Sequence, residues 1–208
     1  MLRQPLAEAW LARVHASAKW AGLLASERRN VPLVNVPTII VTGPVGVGKT
    51  TVAEEMGMLL LDAKVPHATV DFDQLTACYP RPADDDRWGT KLGLMNLAAL
   101  WKNYERSGAR RLLIARVLES RSELDGYREA VPGADILVVR LRAAPETLQS
   151  RVRRRGPGRG TEWHLHRAVE LAPLMDAQHV EDVLVETDGR DATNIARDIL
   201  LRAGWLTA

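Results

Sequence analysis

Thr38-Ile39-Ile40-Val41-Thr42-Gly43-Pro44-Val45-Gly46-Val47-Gly48-Lys49-Thr50-Thr51 is the stretch that decides the fold. Its first five residues are a β-branched run stopped by Gly43, which reads as a buried parallel strand. Gly43 to Thr50 then matches G-x-x-x-x-G-K-[ST], the Walker A phosphate-binding pattern. Glycines here let the backbone turn and approach an anion with no side chain in the way. The N–H groups along Gly43, Val45, Gly46, Val47 and Gly48 form an anion nest at a helix N-terminus. Lys49 supplies a point charge for the β- and γ-phosphates, and the Thr50 hydroxyl suits Mg²⁺. Thr51 adds a second hydroxyl. Val52, Met56, Leu59 and Leu60 follow on one helical face, so the loop lies between a strand and a helix, as the pattern requires.

Working outward, His67–Asp71 reads as a second strand, Arg111–Ala115 as a third, Ile136–Leu141 as a fourth and Val183–Val185 as a fifth. Helices are expected within 86–108, with Gly108 as C-cap, from Pro145 through Val152, over Trp163–Met175, and after the N-cap Asp191. Alternating strands and helices imply an α/β fold with a parallel sheet covered on both faces, and ligands at the carboxyl ends of its strands. Pro5–Leu24 shows helical spacing in Leu6, Trp10, Leu11, Val14 and Ala18. This predicts an N-terminal helical extension over 1–36, serving packing or a dimer contact, ahead of a domain over 37–208. Its acidic Glu8 and few cations make a poor lipid-binding face.

Composition narrows the class. The chain has 208 residues, 46% of them hydrophobic and 26% charged, ordinary for one soluble globular domain. A net charge of +2 gives no general pull towards nucleic acid or an anionic membrane. A single cysteine, Cys78, forbids an internal disulfide and fits a cytoplasmic setting. Arg3, Glu8, Arg13 and Lys19 interrupt any apolar leader, and no run reaches transmembrane length.

The absence of N-K-x-D removes the usual guanine-reading GTPase signature. Asp86-Arg87-Trp88-Gly89 formally matches D-x-x-G but follows prolines and acids rather than an apolar strand. A motor or AAA-type ATPase should end an apolar strand in an acid, whereas the third strand ends Ile114-Ala115-Arg116. Val70-Asp71-Phe72-Asp73 offers instead two carboxylates two apart, read as sharing one side at the end of the strand beside that of the phosphate loop. Such acids can be solvated turn residues. Directly after the crossover from a phosphate loop, they suit a metal and an attacking hydroxyl.

On Gly43–Thr51, Asp71-Phe72-Asp73 and a late Arg-rich segment, the chain resembles small P-loop kinases of the nucleoside-monophosphate-kinase type, nearest the shikimate, gluconate, adenylylsulfate and chloramphenicol kinase-like groups. The likeness runs from about Thr38 to Leu201. It implies a P-loop NTPase fold with a five-stranded parallel sheet, and ATP with Mg²⁺. It also implies transfer of the γ-phosphoryl to a hydroxyl of a small metabolite. By the shikimate kinase pattern Asp71 would be the metal-side acid, acting through water, and Asp73 the hydroxyl partner. No full substrate signature of any one group is present. A nucleotide-binding regulatory or partner-binding ATPase module, and a nucleoside or nucleotide kinase, stay open.

Arg151-Val152-Arg153-Arg154-Arg155-Gly156-Pro157-Gly158-Arg159-Gly160 is helical at its start and Gly/Pro-broken at its end. It resembles an Arg-bearing lid, with Arg151 and Arg155 on one face. Guanidinium forks bind phosphate oxygens bidentately. A solvated basic helix or a nucleic-acid patch are the other readings, the latter lacking interleaved aromatics. Acceptor candidates are Tyr79, Arg81, Arg87, Trp88 and Arg116, with Glu119 and Arg121 on the same rim. An anionic acceptor would explain the arginines, and Trp88 would stack on a ring or sugar face. Glu186-Thr187-Asp188-Gly189-Arg190 would lie near the base. Partners are expected to be small molecules, with no nucleic acid, no membrane and a possible homodimer.

Overall fold

The computed structural model describes residues 35–84, 86, 88–154 and 161–207. The expected N-terminal helix, Arg87, Arg155 and the Gly/Pro end of the basic segment lie outside the described residues. In chain order the elements are β1 (Val36–Thr42), α1 (Lys49–Asp62), β2 (Ala68–Asp71), α2 (Phe72–Leu75), α3 (Thr90–Arg106), β3 (Leu112–Ala115), a 3₁₀ turn (Arg121–Glu123), α4 (Leu124–Ala130), β4 (Ala134–Arg142), α5 (Pro145–Arg154), α6 (Thr161–Gln178), β5 (Val183–Glu186) and α7 (Ala192–Arg202). The five strands form one parallel sheet in the order β2-β3-β1-β4-β5. Among the described residues no helix is long and apolar enough to cross a membrane.

β1 lies at the centre because it is apolar on both faces. Ile39 and Val41 join Leu113, Val139 and Leu141 in the core beneath α1 and α7. Ile40 joins Leu112, Ile114 and Val138 in the core beneath α3 and α4. Alternation along a strand sends successive side chains to opposite faces, so a run without polar breaks needs cover on both. Ile39, Ile40 and Val41 are each fully buried, worth roughly 1.5–3 kcal/mol apiece in transfer free energy.

Two sequence expectations are corrected. The strand bearing Asp71 is not beside the phosphate-loop strand, because β3 pairs with both β1 and β2 and lies between them. A parallel crossover can skip a strand position, and here α1 makes that longer crossing. Nor do Asp71 and Asp73 alternate along a strand. β2 ends at Asp71, which N-caps α2 by accepting the Asp73 N–H at 3.0 Å. The short α2 and the α4 turn were not expected. Both are anchored by ring contacts in the core, where Phe72 meets Tyr127 with centroids 5.3 Å apart.

Arg140 on β4 is a buried cation that ties the sheet to α6. Its Nη2 lies 2.7 Å from Asp176, and its Nε lies 3.0 Å from Glu181. Removing one member of a buried pair strands the other, whereas replacing both by apolar groups is close to neutral. Arg140→Met alone is therefore expected to cost about 3 kcal/mol, and Arg140→Met with Glu181→Leu to recover most of it. Urea unfolding of the two variants against the parent measures the difference.

Candidate active site

The phosphate loop follows from where β1 stops. Gly46 takes φ +86°, and a Cβ there would lie 2.8 Å from the Leu148 carbonyl oxygen and 2.9 Å from Val152 Cγ2. The loop thus packs against α5 only as glycine. Gly48 takes φ +103°, and a Cβ built on it meets nothing within 4 Å, so this backbone faces open space. Gly48 is also the N-cap of α1 and makes no side-chain cap, and the first turn of α1 carries no acid. The positive end of the helix is left for an outside anion. Lys49 Nζ donates to the carbonyls of Gly43 and Pro44, each at 3.1 Å, at the mouth of the loop.

Thr50 Oγ1 donates to Asp71 Oδ2 at 2.9 Å, joining the start of α1 to the end of β2. This hydroxyl–carboxylate pair fits Mg²⁺, which takes few protein oxygens and keeps waters and phosphate oxygens in its shell. One turn on, Asp73 is exposed and ion-paired with Arg116, Nη1 to Oδ1 at 2.6 Å. Arg116 continues β3 by one residue, its N–H donating to the Val41 carbonyl at 3.1 Å, which sets it beside the phosphate loop. Its guanidinium is buried, lies 4.8 Å over the Phe72 ring and donates to Thr90 Oγ1 at 3.3 Å. Burial raises the pKa of the neighbouring Tyr127 phenol well above its ordinary value, against the pull of the Arg116 charge.

A cavity of about 440 Å³ opens from the phosphate loop across these groups. Gly46, Gly48, Lys49 and Thr50 line one end; Asp73, Trp88, Thr90, Arg116, Glu119 and Glu123 line the other, with Trp163, His164 and Arg167 of α6 forming its outer wall. Val45 also lines the cavity, and Val47 is buried behind it. Trp88 and Trp163 approach with ring centroids 5.7 Å apart at 50°. Arg167 is buried, lies 5.6 Å over the Trp88 ring, and is ion-paired with Glu119 and, at 2.9 Å, with Glu170. Glu123 accepts the N–H groups of Glu119 and Ser120 at 2.7 and 2.8 Å, which shapes the loop after β3.

The sequence candidates therefore separate. Asp73, Trp88 and Arg116 converge on the cavity, whereas Arg81 and Tyr79 lie in an exposed segment and do not line it. Thr51 is exposed on α1, one residue beyond Thr50. Arg121 turns away from the cavity to the Val180 carbonyl and Asp182. Arg151 donates to the Val47 carbonyl, to Thr187 Oγ1 and to the Thr187 carbonyl, each at 3.0 Å, fastening the phosphate loop to the β5 loop. Thr90, Glu123, Trp163 and Arg167 were missed. Glu123 had a signal, because Ser120-Arg121-Ser122-Glu123 spells a capping box. Arg167 had none, since only tertiary packing distinguishes it from the other arginines.

A nucleotide-binding loop on a five-stranded parallel sheet, continuous with a polar cavity, defines a P-loop NTPase fold. The chain belongs to the AAA domain family, whose sequence profile matches residues 39–170. The acid expected at the end of the third strand of an AAA-type ATPase is absent, its place taken by Arg116. Among solved structures the chain is similar to a gluconokinase from Sinorhizobium meliloti, with 22% identity and TM-score 0.53 over 84% of this chain and 94% of that one. It is similar to the Mycobacterium tuberculosis APS kinase solved with AMPPNP and APS, with 18% identity and TM-score 0.53 over 83% and 99%. A shikimate kinase from Acinetobacter baumannii gives 21% identity and TM-score 0.50 over 83% and 96%. At these identities the likeness is one of fold. No curated protein matches the chain.

Asp86 caps the start of α3 and holds Trp88 in the wall, accepting the Trp88 N–H at 2.7 Å and the Thr90 N–H at 3.1 Å. Burial alone would raise its pKa, but these N–H groups, the Thr90 hydroxyl and the Arg116 charge outweigh it and hold the carboxyl below its ordinary value. A depressed carboxyl contributes stability above its unfolded pKa and loses it as pH falls through the folded pKa. The stability gap between the protein and Asp86→Asn is therefore expected to be full above the ordinary carboxylate range, at about pH 5, and to shrink as the pH falls below that range. Urea titrations of both proteins across that range read it.

Proposed function

We propose that this chain is an ATP-dependent phosphotransferase that moves the γ-phosphoryl of ATP to a hydroxyl of a small metabolite. The observation that carries this reading is the division of labour between two acids. Asp71 is bonded to the phosphate-loop Thr50, whereas Asp73 faces the cavity beside Arg116. A protein that only holds a nucleotide needs no second acid facing an acceptor. The kinase names of the similar folds, and the arginine where an ATPase would carry its acid, support the same reading.

In the proposed reaction Lys49 and the loop N–H groups bind the phosphates. Thr50 and Asp71 would hold Mg²⁺, which when bound neutralises phosphate charge and orients the oxygens. Asp73 orients the acceptor hydroxyl and accepts its proton as the oxygen attacks phosphorus. Arg116 keeps Asp73 placed. Arg151 acts from where it is fastened, keeping the phosphate loop against the β5 loop, and Arg155 supplies the lid cation. Arg81, which does not line the cavity, and Arg87 would serve as further cations of the acceptor segment.

Mg·ATP turnover against a panel of hydroxylated metabolites tests this. Asp73→Asn is expected to lower acceptor-dependent kcat by about 10²–10⁴-fold while ATP binding is retained. Lys49→Met is expected to weaken ATP binding itself. Acceptor-dependent ADP release that survives Asp73→Asn unchanged would sink the assignment.

A further inference from the structure

The acceptor end of the cavity has an unusual balance of charge and surface. Away from Lys49 and the phosphate loop, four carboxylates among the described residues, Asp73, Asp86, Glu119 and Glu123, face two guanidiniums, Arg116 and Arg167. Both guanidiniums are buried and each already holds a carboxylate, Arg116 keeping one buried N–H, Nε, without a partner among the described residues. Arg116 pairs with Asp73, and Arg167 with Glu119 and Glu170. A carboxylate, sulfate or phosphate entering here would compete with these acids for the arginines and meet a displaced carboxylate at short range. A cation would find the acids equally engaged. Asp86 and Glu123 each accept two backbone N–H groups, and Asp73 and Glu119 each hold an arginine.

What the cavity does offer is ring surface. Trp163 lines it yet stays 46% exposed, and it stands 5.7 Å from Trp88. Arg167 lies over the Trp88 ring and fixes that indole in the wall. An exposed indole in a concave site gains roughly 25 cal/mol for each Å² that an apolar face covers, and aromatic faces add edge and offset contacts of their own. Trp163 reaches this place from α6, far from Asp73 in sequence but in the same cavity.

We infer that the acceptor is an uncharged alcohol carrying a ring face, seated against Trp163 and Trp88 with its hydroxyl towards Asp73, rather than an anionic hydroxy acid. Trp163 and Arg167 are then specificity-determining residues, one by contact and the other by keeping Trp88 and the surrounding charges in place. This rests on the phosphotransfer reading for the direction of the hydroxyl, but the charge and ring preference of the pocket can be read without any transfer.

The test uses three matched probes on the full chain: phenyl β-glucoside, the anionic phenyl β-glucuronide and the cationic phenyl glucosaminide. Binding is followed by saturation-transfer NMR. The neutral probe is expected to bind at least about tenfold more tightly than either charged one, a difference of 1.4 kcal/mol. Trp163→Ala is expected to lose that binding and Trp163→Phe to keep it, a contrast that a merely structural role would not give at a half-exposed position. Tighter binding of the glucuronide or the glucosaminide overturns the inference, and so does no binding of the glucoside at about 10 mM, a concentration at which even a weak ring contact registers. Mg·ATP turnover on the acceptor panel separates the two readings. Glucoside bound through Trp163, with acceptor-dependent ADP release that survives Asp73→Asn unchanged, upholds the pocket and sinks the Asp73 phosphotransfer reading. Transfer to shikimate or gluconate upholds the phosphotransferase and sinks the neutral pocket.

Discussion

The carboxylate of Asp71 is the contact on which the site depends. One oxygen accepts the Thr50 hydroxyl and the other the Asp73 N–H. The first bond fixes the start of α1 to the end of β2, two strands away from the loop that precedes it. The second turns the chain out of the sheet into α2, a four-residue helix too short to hold by itself. Phe72, fully buried, pins that turn from below. With both bonds made, Asp73 has one place to be, and that place is opposite Arg116.

Arg116 answers from the other side. A buried guanidinium costs several kcal/mol to desolvate unless its donors are used. Here the cost is offset in part by Asp73, by Thr90 and by the face of Phe72, with Nε left unpartnered among the described residues. The same solution recurs at Arg167, with Glu119, Glu170 and the face of Trp88. Two cations thus frame the cavity without giving it a net positive field. Their rigidity is what a pre-organised site needs, since groups already oriented need no rearrangement when charge develops.

The phosphate half of this arrangement was legible in the sequence because it is built from backbone. Glycine spacing, one lysine and one threonine specify a loop of N–H groups, and the β-branched run before it specifies the strand. The five strands and the major helices were readable for the same reason, their periodicity being local. Strand order was not. Nothing in Ala68–Asp71 says that β3 will insert between it and β1, because that is settled by the length of the α1 crossing and the packing of both faces. The D-x-D geometry failed similarly. Two acids two apart read as strand neighbours until Asp71 is seen to cap a helix.

The acceptor half is built from side chains that four separate elements bring together: Asp73 from α2, Trp88 from the turn before α3, Arg116 from the end of β3, and Trp163 with Arg167 from α6. No spacing rule links these positions, so a family signature was not there to find. The same separation has a functional consequence. The phosphate loop is fastened to β4 through Gly43 packing, to α5 through Gly46 packing and to the β5 loop through Arg151. None of those contacts involves Trp88, Trp163 or Arg167. In the phosphotransfer reading, the side chains at α6 and at the turn before α3 can therefore change without disturbing the contacts that fasten the phosphate loop. A fold similar to that of gluconate, adenylylsulfate and shikimate kinases does not by itself fix what occupies the side-chain half of the cavity.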